Sequence, residues 1–444
     1  MPVSAQALFD WHERPGAFDR LTPAFMPAKV IARSGGIQNG ARVTLGVPVG
    51  PLTTTWEIEH EGYVAGREFR DVQKSGPFAS WEHTHRMIPQ TADSSVLEDH
   101  IVYRLPMGPL GAAVAGHFTR EKLERLMRWR HALTRLDLER HAQFAGRGPR
   151  RIAITGASGF LGGALVPFLT TGGHAVRTVG RGADSDVQWD PARGELDATA
   201  LDGVDAVIHL AGASIAERWT PEQRKAIRES RLTSTRLIAE TMARMSPRPE
   251  VLISGSAVGI YGSRGDELLD ESSALGDDFP AEVGKEWEAA TAPARDAGIR
   301  VVHIRTGIVL NPGGGALGKM LLPFQAGVGG RLGSGKQWMS WISREDWIGA
   351  VHFLMQRGGL EGVFNLTAPE PVTNATFTEA MGRVLNRPAI LPVPAFALTT
   401  MFGEMARGTI LASQRAVPRA LERAGFAFAH PSVSSALRLE LGLL

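Results

Sequence analysis

The chain contains no cysteine, which excludes disulfides and thiolate chemistry and leaves any zinc site to histidine and carboxylates alone. Long apolar runs are also missing, so no membrane span is expected. Neither sign of charge dominates: lysine plus arginine number 48 against 46 for aspartate plus glutamate. That near balance gives no basic footprint for nucleic acid. The opening run MPVSAQALFDWHERPG has no charged head and no apolar core, so a secretory signal is not expected and a soluble, cytoplasmic protein is. At 444 residues and 43% hydrophobic content, the chain has material for packed cores and length for two or three domains.

What is present is most specific at residues 151–162, RIAITGASGFLG. A short β-branched strand runs into a glycine-spaced turn and then a helix, which is the context that gives a three-glycine spacing its meaning. Gly156 permits the tight turn, Gly159 lets backbone N–H groups approach a pyrophosphate, and Gly162 allows helix to pack closely on strand. The helix N-terminus adds unsatisfied donors and partial positive charge. A dinucleotide site is therefore expected, with Thr155, Ser158, Phe160 and Leu161 completing the loop.

The second strand of such a unit reads the ribose. An NAD site places Asp or Glu at its end, to accept from the 2′-hydroxyl. Here the run is VRTVGR, with Arg177 and Arg181 and no carboxylate before Asp184. Guanidinium groups there would pair with a 2′-phosphate, favouring NADP(H) over NAD(H); the alternative is two ordinary surface arginines.

Before the glycine run the texture differs. A helix-like SAQALFDWHERPGAF is followed by strand candidates ARVTLGVPV, TTTWEIEH, GREFRDVQK, SWEHTHRMI and SSVLEDHIVYRLP, separated by turn-rich pieces. A long amphipathic helix comes next, with Phe118, Leu123, Leu126, Trp129, Leu133 and Leu136 near helical spacing. Trp81, His83 and His85 alternate along one strand and so share a face. Paired histidines suit a metal, but no third ligand is evident, so they read as polar groups near a pocket or at its rim, and no metal is expected. This pattern, with the run FRDVQKSGPFASWEHTHRM, resembles the SRPBCC (START-like) helix-grip domains of polyketide cyclases and lipid-binding proteins. The resemblance covers residues 1–143 and implies an α+β domain holding a hydrophobic ligand between sheet and helix. AGRGPR marks a linker over 144–150.

From residue 151 strands and helices alternate, which implies an α/β Rossmann-type, doubly wound parallel sheet over 151–370. Pro167 falls inside the first helix of this unit. The pieces TNATFTEAMGRVLN, ALTTMFGEMARG and SQRAVPRALERAGF build a small helical C-terminal lobe over 371–444. TGASGFLG, HLAG at 209–212, SGSAVGIYG at 254–262 and RTGIVL at 305–310 occur in the order of the extended short-chain dehydrogenase/reductases. With AGASIAERWTPEQRKAIRESRLTSTR and GSGKQWMSWISREDW, the segment is similar to their atypical, epimerase-family branch. The similarity covers residues 151–444, implies a DUF1731-like substrate lobe, and adds Leu210, Ala211 and Gly212 to the cofactor residues.

The departures from that family bear on chemistry. Its reductases use an Asn–Ser–Tyr–Lys set, in which Tyr moves a proton and Lys lowers its pKa and holds the nicotinamide ribose. In this chain the Asn position falls on Arg231 and the Ser position on Ala257, with Ser256 one residue early. The Tyr position before Lys285 is Ala281. Ser256, Glu282 and Lys285 are then the available acid–base groups, with Glu282 open to a second reading as a first-turn helix residue favoured by the dipole. Tyr261, Arg305, Trp341 and Asp346 are candidates for the substrate. For Arg305 the other reading is neutralisation of a nearby carboxylate, and for the SWISREDW run a strand-to-helix junction capped by Asp346. Two functions remain: an NADP(H)-dependent oxidoreductase or epimerase-like enzyme acting on a small or apolar molecule, or a low-turnover NADP(H)-binding sensor or scaffold coupled to a hydrophobic-ligand domain. The residues leave the substrate and the oligomeric state open.

Overall fold

A computed structural model describes residues 1–26, 28–49 and 52–444. Its contacts divide the chain into two compact units. The first comprises Met1–Pro149, Pro167–His174 and Gly442–Leu444; the second comprises Arg150–Val166 and Ala175–Leu441.

In the first unit, helix α1 (Ala5–Glu13) starts where Ser4 caps the backbone N–H of Ala7. A six-stranded antiparallel sheet follows in sequence order: β1 (Lys29–Ser34), β2 (Arg42–Val49), β3 (Leu52–Val64), β4 (Glu68–Ser75), β5 (Ser80–Thr91) and β6 (Ser94–Arg104). Helix α2 (Gly108–Ala142) runs for 35 residues. On α2, Trp129 and Leu133 are buried as the helical spacing requires, but Phe118 is exposed, because among the described residues burial on this helix begins only at Trp129. β1 carried no signal in the sequence: all six residues are exposed on an edge, so no alternation of burial marks it. Arg20 and Asp137 form a bidentate buried pair at 2.8 and 2.6 Å.

The second unit is built on an eight-stranded sheet in the order β10-β9-β8-β7-β11-β12-β13-β14. Its strands are β7 (Arg151–Thr155), β8 (Ala175–Gly180), β9 (Val187–Asp190), β10 (Glu195–Leu196), β11 (Ala206–His209), β12 (Val251–Ala257), β13 (Arg300–Thr306) and β14 (Gly362–Leu366). All neighbours are parallel except β9 and β10. β7, β11 and β12 are apolar nearly throughout because parallel strands are covered on both faces. Helices α3 (Gly162–Thr171, of which residues 162–166 belong to this unit), α4 (Pro221–Arg244), α5 (Phe279–Ala289), α6 (Arg344–Gln356) and α7 (Asn374–Leu385) connect or cover them. Pro167 lies inside α3, where its ring removes one helical hydrogen bond.

Two readings of the sequence change. The alternation of strands suggests one continuous strand through RVVHIRTGIVL, but β13 ends at Thr306, and Ile308–Leu310 pairs instead with Trp341–Ser343. Gly307 makes the switch, since a Cβ there would run into the Ser340 carbonyl. The C-terminal stretch is not purely helical either. Arg415–Ala416 pairs with Leu268–Leu269, and Val372–Thr373 with Trp338–Met339, joining it to the second unit.

Candidate functional site

The strand order turns back between β7 and β11, which opens a crevice beyond their carboxyl ends. Gly156 leaves β7 with φ +71°, and a Cβ on it would lie 2.9 Å from the Leu210 carbonyl carbon. The turn closes through Gly159 N–H to Gly156 O at 2.9 Å, and α3 begins with Gly163 N–H to Gly159 O at 2.8 Å. At Gly162 a Cβ would overlap the Gly156 carbonyl. Ser158, Gly159 and Phe160 stand exposed along the loop.

Thr155 has a different task from the one expected. Fully buried, its Oγ accepts from the N–H groups of Leu210 and Ala211 at 3.1 and 3.2 Å. With both lone pairs occupied, the hydroxyl donates to His209 Nδ1 at 2.7 Å. His209 then carries its proton on Nε2 and donates to Thr235 Oγ at 3.0 Å. Burial, helped by the Arg231 charge, lowers the His209 pKa to about 3, so the ring stays neutral. Thr155 thus shapes the Leu210–Gly212 turn from beneath. Arg231, at the family's Asn position, braces the same turn, donating to the carbonyls of Ala213 and Ile227 at 3.0 Å each. Sequence reasoning did not assign Arg231 that work.

The two arginines of β8 separate. Arg177 Nη1 donates to the carbonyls of Ala200 and Asp202 at 2.8 and 3.1 Å, so it serves to anchor the loop that follows β10. That corrects its assignment to the cofactor. Arg181 directly follows β8 and is exposed.

Beyond β12 lies a chain of buried polar contacts. Ser256 Oγ donates to Glu288 Oε1 at 2.7 Å. Arg305 forks onto Glu288 at 2.8 and 2.9 Å and donates to the Tyr261 hydroxyl at 3.0 Å. Tyr261 in turn donates to Asn365 Oδ1 at 2.8 Å. Burial pushes the Glu288 carboxyl up, but the Arg305 guanidinium and the Ser256 hydroxyl outweigh it and hold the group below its usual range. Burial likewise raises the Tyr261 phenol. Tyr261 is fully buried, so it supports this chain from within and does not face a substrate. Arg305 is the neutraliser of a carboxylate.

Helix α5 is capped by Asp278, which accepts from the Ala281 N–H at 3.0 Å. At about 100° per residue, Ala281, Lys285 and Glu288 fall on one stripe, while Glu282 lies about 120° around the helix from Glu288. Glu282 is exposed in the first turn, the position the dipole favours, and is not on the stripe that meets Ser256; its catalytic assignment is corrected accordingly. Lys285 is exposed and has no hydrogen bond or ion pair among the described residues. Glu288 was missed because it reads as one more surface acid on an amphipathic helix; the signal was its i+3 spacing from Lys285.

Trp341 and Asp346 are core residues. Trp341 is fully buried and its indole donates to the Glu370 carbonyl at 3.0 Å. Ser343, not Asp346, caps α6, accepting from the Asp346 N–H at 3.0 Å. Asp346 accepts from the N–H groups of Ala429 and His430 at 2.8 and 2.9 Å, fastening the C-terminal segment. A substrate role for either is thereby corrected.

Comparison with known proteins gives this geometry its context. A family model for the NAD dependent epimerase/dehydratase family matches residues 152–367, and one for a domain of unknown function, DUF1731, matches residues 393–439. An epimerase family protein of Mycobacterium bovis is 45% identical over 290 residues, 64% of this chain and 96% of that protein. The human epimerase family protein SDR39U1 is 34% identical over 293 residues, 65% of this chain and 98% of that protein. Its crystal structure with NADPH, as isoform 2, superposes with a TM-score of 0.62 at 33% identity, covering 66% of this chain and all of that one. A structure described as a nucleoside-diphosphate sugar epimerase from Corynebacterium glutamicum matches all of this chain and 89% of its own, with a TM-score of 0.82 and 33% identity. With that likeness added to the glycine loop at the switch point, the chain belongs to the NAD dependent epimerase/dehydratase family, as an NAD(P)-binding, SDR39U1-like atypical short-chain dehydrogenase/reductase.

Proposed function

We propose that the second unit is an NADP(H)-dependent oxidoreductase or epimerase-like enzyme for a small molecule, and that its selectivity for NADP(H) rests on Arg181. The observation that carries this reading is the glycine-shaped loop and the α3 N-terminus at the crevice. With Arg177 held by two carbonyls, Arg181 is the β8 guanidinium left for a 2′-phosphate. NADPH should bind more tightly than NADH. A charge-assisted hydrogen bond contributes roughly 1.5–3 kcal/mol, so Arg181→Ala should erase most of a tenfold or larger preference in fluorescence titrations. Equal affinities in the unmutated protein would exclude the assignment.

Within the crevice, bound cofactor would supply the hydride chemistry. Lys285, on the α5 stripe, is assigned to the nicotinamide ribose, and Ser256, buried with its hydroxyl proton directed at Glu288, to orienting that carboxylate from behind. Lys285→Ala should weaken NADPH binding about tenfold, the loss of one charge-assisted contact. Glu282→Gln, off that stripe, should bind as the parent does. If both variants bind alike, Lys285 has no such role.

We assign residues 1–143, which lie within the first unit, to the helix-grip class, on their antiparallel sheet followed by one long helix, and residues 371–444 to the substrate lobe. The inner face of that sheet is not wholly apolar, however, since His83, His85 and Asp99 lie on it. The ligand that suits this interior has a polar end as well as an apolar body.

A further inference from the structure

Sequence order hid a third partner for the two histidines of β5. Asp71 on β4 is the cross-strand neighbour of His83, and Asp99 on β6 is that of His85. One nitrogen of each ring faces Asp71 Oδ2: His85 Nε2 at 3.2 Å and His83 Nδ1 at 3.8 Å. The other nitrogen of each ring meets Asp99 Oδ1, at 2.9 Å from His83 Nε2 and 2.6 Å from His85 Nδ1. His131 on α2 also bonds Asp99. Both β5 side chains are nearly sealed from solvent, 2% and 7% exposed. Asp71 Oδ1 and His60 Nδ1 lie 2.7 Å apart as a close pair, though not aligned as a hydrogen bond.

This is the arrangement of a metal centre with its supporting shell. Bonds of about 2.0–2.1 Å to a tetrahedral zinc set ligand atoms about 3.3–3.4 Å apart; the 3.2 Å spacing from Asp71 Oδ2 to His85 matches, and the 3.8 Å spacing to His83 closes with a small side-chain shift. Metal-binding histidines give their second nitrogen to a carboxylate that fixes ring and tautomer, which is where Asp99 stands. Charge is compatible: a divalent cation would take over the compensation that the surrounding histidines give Asp71 and Asp99 in its absence.

We infer that His83 Nδ1, His85 Nε2 and Asp71 Oδ2 form a binding site for a divalent transition-metal ion of the zinc type, oriented by Asp99. Three protein ligands leave the fourth position to water or to the polar end of a bound molecule, as in zinc sites that act on a ligand rather than only hold a fold. His60 stands beside Asp71 at the edge of this cluster.

The test uses the full chain, stripped of metal with a chelator and dialysed. Zn²⁺ is titrated calorimetrically, and Co²⁺ is followed by its visible d–d absorption, which reports coordination number. The expected result is one ion per chain with micromolar or tighter affinity and a Co²⁺ spectrum of low coordination number. His83→Ala and Asp71→Ala should abolish it, and Asp99→Asn should weaken it about 10–100-fold. His117→Ala, an exposed histidine on α2, should leave it unchanged. Circular dichroism on each variant separates loss of ligand from loss of fold. Absence of stoichiometric binding in the unmutated chain would overturn the inference. So would binding that survives in a folded His83→Ala variant or disappears in His117→Ala.

Discussion

Replacing Arg305 by leucine should destabilise the protein by about 3–5 kcal/mol, the cost of breaking a buried ion pair from one side. Glu288 would keep its charge in a site where it is 14% exposed and has only Ser256 left as a partner, and the Tyr261 hydroxyl would lose its donor. Arg305→Leu combined with Glu288→Leu should recover part of that loss, because the stranded charge goes with its partner. Urea unfolding of the three variants measures the cycle, and a single variant within 1 kcal/mol of the parent would show that water relieves the site. The pair also has a pH signature. Glu288 is held below its ordinary 4.5, so its contribution is fully present above that value and is lost as pH falls through the depressed one. Arg305→Leu should flatten that part of the acid limb.

The second large effect is expected at Gly162. A methyl group there meets backbone, the Gly156 carbonyl, which has no rotamer with which to move aside. The loop must then shift, and the Gly159 and Gly163 amides move with it. NADPH affinity should drop at least tenfold, since backbone distortion of this kind costs of order 1–3 kcal/mol. Gly163→Ala is the control: its added Cβ would stand 3.6 Å from the nearest atom, the Ala157 carbonyl oxygen, and binding should persist. Full NADPH affinity in Gly162→Ala would mean that the crevice tolerates a displaced loop, and the glycine would then matter for packing alone.

The glycine loop was legible because its signal is local: strand, turn and helix N-terminus follow one another within twelve residues, and backbone sterics set each glycine. The parallel sheet was legible for a similar reason, since strands covered on both faces must be apolar nearly throughout. Strands without that burial, such as the exposed β1 and the two-residue β10, left no pattern to find. The break at Gly307 is set by a carbonyl 33 residues further along, at Ser340.

Side-chain roles were decided elsewhere. Arg177 and Arg181 are equivalent as letters, and only the carbonyls of Ala200 and Asp202 remove one of them from the crevice. Trp341 and Asp346 resembled a substrate wall because aromatics around a carboxylate suit either a ligand or a core, and burial chose the core. Glu288 gained its role from Arg305, and Asp71 and Asp99 gained theirs from strand register that places each opposite a histidine. The sequence by itself determined the dinucleotide loop, the parallel α/β sheet and the exclusion of thiolate chemistry, because each depends on residue type and short-range geometry. The tertiary structure alone decided which charged groups meet. Coulomb and hydrogen-bond energies depend on distances of a few ångströms between residues that the chain separates by 12 to 117 positions.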